Sequence, residues 1–394
     1  MLELQHDLRL AKTRDEKARQ NFVSGLRSYV LNDLAGHLRS TYEGEVAPGF
    51  ERTHGRKPQD GPEVHEALRG HDAFRVYSSL RVSAQDMVWQ SVLPVVERER
   101  ERLEAQAAEL AVHGPGTLQL DPTLEVPRSV KAIDVHLMPG NYDGEYGPDD
   151  LAAGAVYDNG LAVFSFGLMG RNLDDIGQSI ARFVRLRYPQ FRPRQILDLG
   201  CTIGHNTGSW KDTYPEAEVH GIDVAAPCLR YAAARARAQR RAIHFRQMNA
   251  EQLAYPDASF DLVFSSMFLH EVPRKGIARV LAEAHRVLRP GGLMLHMELP
   301  PNSQLSPFDS FYLDWDSYYN NEPFYKPYRD LRPEQLCADA GFAPERYVQF
   351  VIPSVGWYGE EAFKRALAAQ TSVDSDKTGR LADGIQWYCF GAWR

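Results

Sequence analysis

Ile196-Leu-Asp-Leu-Gly-Cys-Thr-Ile-Gly-His-Asn-Thr207, with Val219-His-Gly-Ile-Asp-Val224 a short way downstream, decides how this 394-residue chain folds. An apolar run ending in glycine reads as a buried strand entering a tight turn. The polar stretch after it opens a helix, and the second apolar run is a strand ending in an acid. Strand, glycine turn, helix, strand and terminal acid is how a doubly wound sheet holds an adenosine-containing cofactor.

Working outward, alternating elements continue on the carboxyl side, with strands predicted at 195–199, 218–223, 242–246, 260–265 and 292–298. A helix over about 172–188 leads into the first of them. The order predicts an α/β fold: a Rossmann-like, doubly wound, mostly parallel sheet occupying 131–394. On the amino side, residues 1–130 read as an additional helical domain. Phe22, Leu26, Tyr29, Val30, Leu34 and Leu38 recur at three-to-four spacing, as do Phe74, Tyr77, Leu80, Ala84, Met87 and Val88. Gly44 to Pro62 is expected as a loop between two long helices, Asp72 as a cap and Pro94 as a kink or restart. Gly114-Pro-Gly116, Pro122 and Pro127 mark 114–128 as a linker. From Ala132 short strands and glycine turns are expected around Tyr142, Tyr146 and Tyr157.

Bulk properties narrow the function. A net charge of −7 gives no general attraction for nucleic acid or an acidic membrane surface. Cys201, Cys228, Cys337 and Cys389 form no CxxC pair, so neither a disulfide framework nor a zinc site is indicated. The charged start Met-Leu-Glu-Leu-Gln-His-Asp and the lack of a bilayer-length apolar run make a cytoplasmic protein the expectation. The alternating charges from Glu97 to Arg102 and the arginines at 230, 235, 237, 240, 241 and 246 are read as solvated helix faces.

The glycine turn excludes two nucleotide classes. Its glycines stand at 200, 204 and 208 instead of in GxGxxG, and Gly204 is followed by His205-Asn206 where a P-loop needs Lys-Ser/Thr. A sulfonium cofactor has no phosphate to cradle. It needs close backbone approach to its amino-acid portion and an acid, here Asp223, to accept from the two ribose hydroxyls.

On these residues the segment Gln195 to Leu299 resembles the class I S-adenosylmethionine-dependent methyltransferases, most of all their ubiquinone/menaquinone-biosynthesis-like branch. Five motifs carry the resemblance: Leu197-Asp-Leu-Gly-Cys-Thr-Ile-Gly204, Gly221-Ile-Asp-Val224, Asn249-Ala-Glu-Gln-Leu-Ala-Tyr-Pro-Asp-Ala-Ser-Phe-Asp261, Phe264-Ser-Ser-Met-Phe-Leu-His-Glu271 and Val287-Leu-Arg-Pro-Gly-Gly-Leu293. Thr202 departs from the family's glycine, and Asn249 from its aspartate near the adenine. Thr202 retains a hydroxyl for the cofactor's carboxylate, and Asn249 a carbonyl for the adenine amino group. The resemblance implies S-adenosyl-L-methionine as cofactor and S-adenosyl-L-homocysteine as product. The residues expected to hold them are Asp198, Gly200, Cys201, Thr202, Gly204, Asn206, Thr207, Asp223, Val224, Asn249, Ala250, Glu251, Ser265 and Met267.

Ligands of open α/β sheets bind beyond the strands' carboxyl ends, which makes His270, His296 and Glu298 the expected catalytic groups, with Glu271 a further candidate base. His270-Glu271 is not HExxH, since Arg274 takes the second histidine's place. An aromatic-rich insertion at 300–330 is expected to wall an acceptor pocket, form a subunit interface or pack the core. Phe311, Trp315 and Tyr325 from it, with Tyr142 and Tyr157 from the tyrosine- and glycine-rich segment 140–160, are the expected substrate contacts. The reading is methyl transfer to an oxygen, nitrogen or carbon atom of a small organic molecule, the helices covering the pocket, pairing the chain as a homodimer, or both. Two alternatives stand beside it: other chemistry on the same cofactor fold, and a noncatalytic binding protein.

Overall fold

The computed structural model describes residues 6, 8–369 and 385–394. One eight-stranded sheet organises it: β1 (Thr117–Gln119), β2 (Gln195–Leu199), β3 (Glu218–Asp223), β4 (Ile243–Gln247), β5 (Phe260–Ser266), β6 (Leu288–Glu298), β7 (Tyr347–Pro353) and β8 (Gln386–Trp393). Their order is β1-β4-β3-β2-β5-β6-β8-β7. All pairs through β6 are parallel, and β8 runs antiparallel to both β6 and β7. The doubly wound, mostly parallel sheet is therefore as expected. β2 forms where it does because it is covered on both faces: Ile196 packs into one apolar cluster, Leu197 and Leu199 into the other. Strand order reverses between β2 and β5, which opens a crevice at their carboxyl ends.

The amino-terminal region is helical, with different details. Thr13 and Glu16 form a capping box that starts the helix Arg14–Tyr29. Short π-helical stretches at Val30–Leu34 and Tyr42–Val46 carry the helical path on to His54. The loop expected from Gly44 to Pro62 shrinks accordingly to the residues around Gly55. Proline sits in the first turn of Gly61–Leu68, where an amide hydrogen has no helical partner to lose, whereas Pro48 falls at the junction of the π-helical stretch with Ala47–His54. His71, not Asp72, caps the helix Asp72–His113, which continues through Pro94 for 42 residues. Beside that proline, the buried Gln20 side chain donates to the Ser91 carbonyl at 2.9 Å.

Three further expectations are corrected. The segment taken as a linker supplies β1, which pairs with β4 at the sheet edge. The strands expected after Ala132 are replaced by turns and the helix Ala152–Phe164. Its glycines serve close packing, since a Cβ on Gly160 would lie 2.2 Å from the Trp89 ring. Finally, the charged runs are not wholly solvated. Glu99 is buried between Arg98 and Arg102, and Arg235 is buried with its guanidinium 2.5 Å from the Asn172 carbonyl and 3.9 Å from Asp158. Among the described residues, no helix is long and apolar enough to cross a membrane.

Candidate active site

A cavity of about 430 Å³ occupies the crevice. Its floor is the carboxyl edge of β2, β3, β5 and β6, and its roof comes from the amino-terminal helices and the helix Pro307–Tyr319.

One end is built from the turn after β2. Gly200 takes φ 65°, and a Cβ there would lie 2.2 Å from the Phe268 ring. Left-handed geometry and lack of space thus both require glycine. Thr202 takes φ 48°, an unusual conformation for a β-branched residue. Its amide donates to Asp223 Oδ2 at 2.9 Å, while the Ala225 amide donates to Oδ1 at 2.9 Å. Asp198 accepts from the Thr207 hydroxyl at 2.5 Å. Burial raises both carboxyls, Asp198 to about 7 with the charge of Asp223 adding to the effect. Among the described residues neither forms an ion pair.

Of the expected cofactor contacts, the cavity is lined by Asp198, Gly200, Cys201, Thr202, Asn206, Asp223, Val224 and Met267. The others stand behind or beside it. Thr207 orients Asp198, and Gly204 caps the following helix at φ 68°. Ser265 is buried against His296. Asn249, Ala250 and Glu251 do not reach the cavity. Asn249 accepts from the Glu251 amide at 2.9 Å, Ala250 is buried in an apolar cluster, and Glu251 accepts from Arg279 at 2.6 Å.

The other end holds the titratable groups. His270 is buried, with Nδ1 2.5 Å from Glu298 Oε2 and its ring stacked on Tyr325 at 4.0 Å. Burial disfavours the imidazolium, but the charge and hydrogen bond of Glu298, with Glu271 and Glu322 beyond, outweigh it and lift His270 to about 9. Glu271 Oε1 lies 3.8 Å from His270 Nε2 and 3.6 Å from His136 Nε2. His136 Nδ1 is 3.1 Å from Glu322 Oε1. Burial raises the Glu271 carboxyl despite both imidazoles. His136 takes φ 57°, and its carbonyl is held by Gln85 Nε2 at 2.8 Å and Trp89 Nε1 at 2.7 Å. Backbone strain persists where neighbours clamp it in this way, and it gathers at functional sites.

Two of the three expected catalytic groups do not line the cavity. His296 points away from the cavity, 2.7 Å from Ser265 Oγ and beside Phe390, and burial drives it down to about 3. Strand alternation sends Glu298 to the same face, so it does not line the cavity. Glu298 instead accepts from the Phe268 and Leu269 amides at 2.9 and 2.6 Å and holds His270, which makes it a positioning residue. Tyr142, Tyr157 and Tyr325 line the cavity, whereas Phe311 and Trp315 do not. These two turn to the other face of their helix and pack against Phe74 in the helical region, Trp315 also lying on His65 at 4.1 Å.

The sequence reading missed His136, Glu322, Arg27, Arg81 and Asp316, all of which line the cavity. A signal for the arginines was present. Arg27 lies in register with Val23 and Val30, and Arg81 with Tyr77 and Ala84, so each interrupts a buried stripe.

With this geometry in place, the comparisons are specific. Residues 196–292 match the methyltransferase domain family. A Thermus thermophilus demethylmenaquinone methyltransferase is 35% identical over 109 residues, 28% of this chain and 49% of that protein. A Pseudescherichia vulneris malonyl-[acyl-carrier protein] O-methyltransferase is 34% identical over 112 residues, 28% of this chain and 41% of that protein. The chain thus spans about half or less of the length of these relatives. A solved Nostoc punctiforme protein aligns over 96% of both chains at 14% identity with a TM-score of 0.44, and nothing about function follows from that likeness. Residues 196–292 are thus similar to methyltransferase domains.

Proposed function

We propose that the chain transfers the methyl group of S-adenosylmethionine to a small organic molecule held between the sheet and the helical roof. The supporting observation is one continuous cavity joining the glycine turn of the methyltransferase domain to the buried cluster of His270, Glu271, His136 and Glu322.

The residues fit a cationic cofactor. Asp198 is a buried and Asp223 a half-buried carboxyl at the turn, neither with an ion-pair partner among the described residues, an arrangement that a ligand bearing an ammonium and a sulfonium relieves. Asp223 presents two oxygens suited to a pair of ribose hydroxyls. When bound, the cofactor supplies an electrophilic methyl group and leaves as S-adenosylhomocysteine.

What this chain's residues contribute is alignment, exclusion of water and, for an acceptor that must lose a proton, a base. His270 at about 9 is an imidazolium at neutral pH, so it serves to hold and orient. Glu271, raised toward neutrality and set between two imidazoles, is the group placed to take a proton.

Calorimetric titration with S-adenosylmethionine and S-adenosylhomocysteine should give micromolar binding. Asp223→Ala should weaken it by about 1.5–3 kcal/mol, the range for a hydrogen bond to a charged group. Lack of binding by both ligands would overturn the reading. The named acceptors of the two relatives differ, one a quinone precursor and one an acyl-carrier conjugate, so kinship does not select the acceptor.

A further inference from the structure

The helix Arg14–Tyr29 presents an arginine to the cavity. Arg27 is 1% exposed. Its Nη1 donates to Gln85 Oε1, its Nε donates to the Phe164 carbonyl at 3.2 Å, and its guanidinium lies 3.9 Å from the centre of the Phe164 ring. Its Nη2 is buried with no hydrogen-bond partner.

Arg81 stands beside it and is well satisfied. It donates to Asp316 Oδ1 at 2.5 Å, Asn320 Oδ1 at 2.7 Å and Gln85 Oε1 at 3.2 Å. Two guanidiniums therefore share one wall with one carboxylate, and Arg81 is the one that takes it. Among the described residues Arg27 forms no ion pair. Burial and the charge of Arg81 push Arg27 well below the usual arginine value, yet a guanidinium stays protonated in proteins. A neutral donor would serve Phe164 and Gln85 equally well. Asp316, engaged by Arg81, offsets the charge of Arg27 only in part, and the partnerless Nη2 suits an anion brought by a ligand.

Gln85 fixes where that anion must sit relative to the chemistry. Its oxygen accepts from both arginines, and its nitrogen donates to the carbonyl of His136, whose ring faces Glu271. The cationic wall thus adjoins the imidazole and carboxylate cluster. Leu31, Leu161, Phe164, Leu168 and Met169 line the cavity with apolar surface.

We propose that the acceptor is a small organic anion with an apolar body, its carboxylate or phosphate received by Arg27 and its nucleophilic atom directed to the His270–Glu271 end. The term acceptor rests on the methyl-transfer reading; the anion site rests on Arg27 alone.

The test is thermal unfolding of the full chain with benzoate, phenylphosphate or the neutral benzamide, with and without S-adenosylhomocysteine. Benzoate, phenylphosphate or both should raise the unfolding temperature at concentrations where benzamide, at least tenfold weaker, does not. The stronger of the two identifies the anionic group. Arg27→Met should fold, because an apolar residue of similar length replaces an uncompensated charge, and should lose this response while retaining its S-adenosylhomocysteine affinity. Arg27→Lys should keep a weakened response, and if Arg27→Met does not fold, the acid-against-amide contrast and Arg27→Lys decide. No response to either anion, or an equal response in Arg27→Met, overturns the anion site. Failure of S-adenosylhomocysteine to bind would sink the methyl-transfer reading while leaving the benzoate result meaningful.

Discussion

The two ends of the cavity are unpaired in opposite senses. At the turn after β2, Asp198 is a buried and Asp223 a half-buried carboxyl, in the roof Arg27 is a buried guanidinium, and among the described residues none of the three forms an ion pair. Between them, His270 and Glu298 are fully matched at 2.5 Å. Charges satisfied within the chain hold the architecture, and those left unsatisfied mark where ligands of opposite sign belong.

Breaking the matched pair should have the largest effect. Glu298→Gln leaves His270 without its counter-charge, and removing one partner of a buried pair costs about 3–5 kcal/mol. The sign with pH follows from the raised value of His270. The stability it contributes is fully present below its unfolded value of 6.5 and is lost as pH rises through about 9. Denaturant unfolding of wild type and variant should therefore differ most near pH 6 and converge above pH 9. A difference independent of pH would assign Glu298 only to the two backbone amides it also holds.

Removing an unmatched charge should act in the other direction. Asp198 is raised from 3.8 to about 7, so its neutral form is favoured by folding, and the associated stability is lost as pH rises through 7. Asp198→Asn should accordingly raise the stability of the ligand-free chain at pH 8 by up to about 4 kcal/mol, taking about 1.4 kcal/mol per pH unit, and should make no difference near pH 4. The same variant should weaken S-adenosylmethionine binding. Gain of stability with unchanged binding would separate Asp198 from the cofactor.

The smallest effect tests the turn itself. Thr202 occupies φ 48° where glycine carries no penalty, so Thr202→Gly should relieve about 1 kcal/mol of strain, offset in part by the freedom glycine gains when unfolded. Calorimetry on that variant also reads whether the hydroxyl matters to the cofactor. A marked loss of affinity would make Thr202 a ligand contact beyond its amide bond to Asp223.

The two ends also differed in how far they could be read before folding. Asp198, Gly200, Thr202 and Asp223 lie within 26 residues, on a strand, turn and strand whose geometry is local, and all four line the cavity. Arg27 escaped notice because the apolar stripe misled. Phe22 and Tyr29, part of the repeat at three-to-four spacing, are 63% and 50% exposed, while Gln20, Ser24 and Arg27 are buried. The buried surface of this helix mixes Val23 with Gln20, Ser24 and Arg27, so apolar spacing alone does not single out the residue that lines the cavity. Phe311 and Trp315 failed similarly, since six aromatics among Phe308–Tyr319 do not say which side of the helix meets the cavity and which meets Phe74.

From residue order alone came the parallel sheet, its first turn, the acid that ends β3 and the kind of cofactor they suit, because each depends on contacts between near neighbours in the chain and on the alternation of a buried strand. Which groups meet across the cavity came only with the packed molecule. Arg27, Gln85, His136, Glu271 and Glu322 belong to segments up to nearly 300 residues apart, and no local pattern encodes the meeting of side chains that distant elements bring together as they bury their apolar faces.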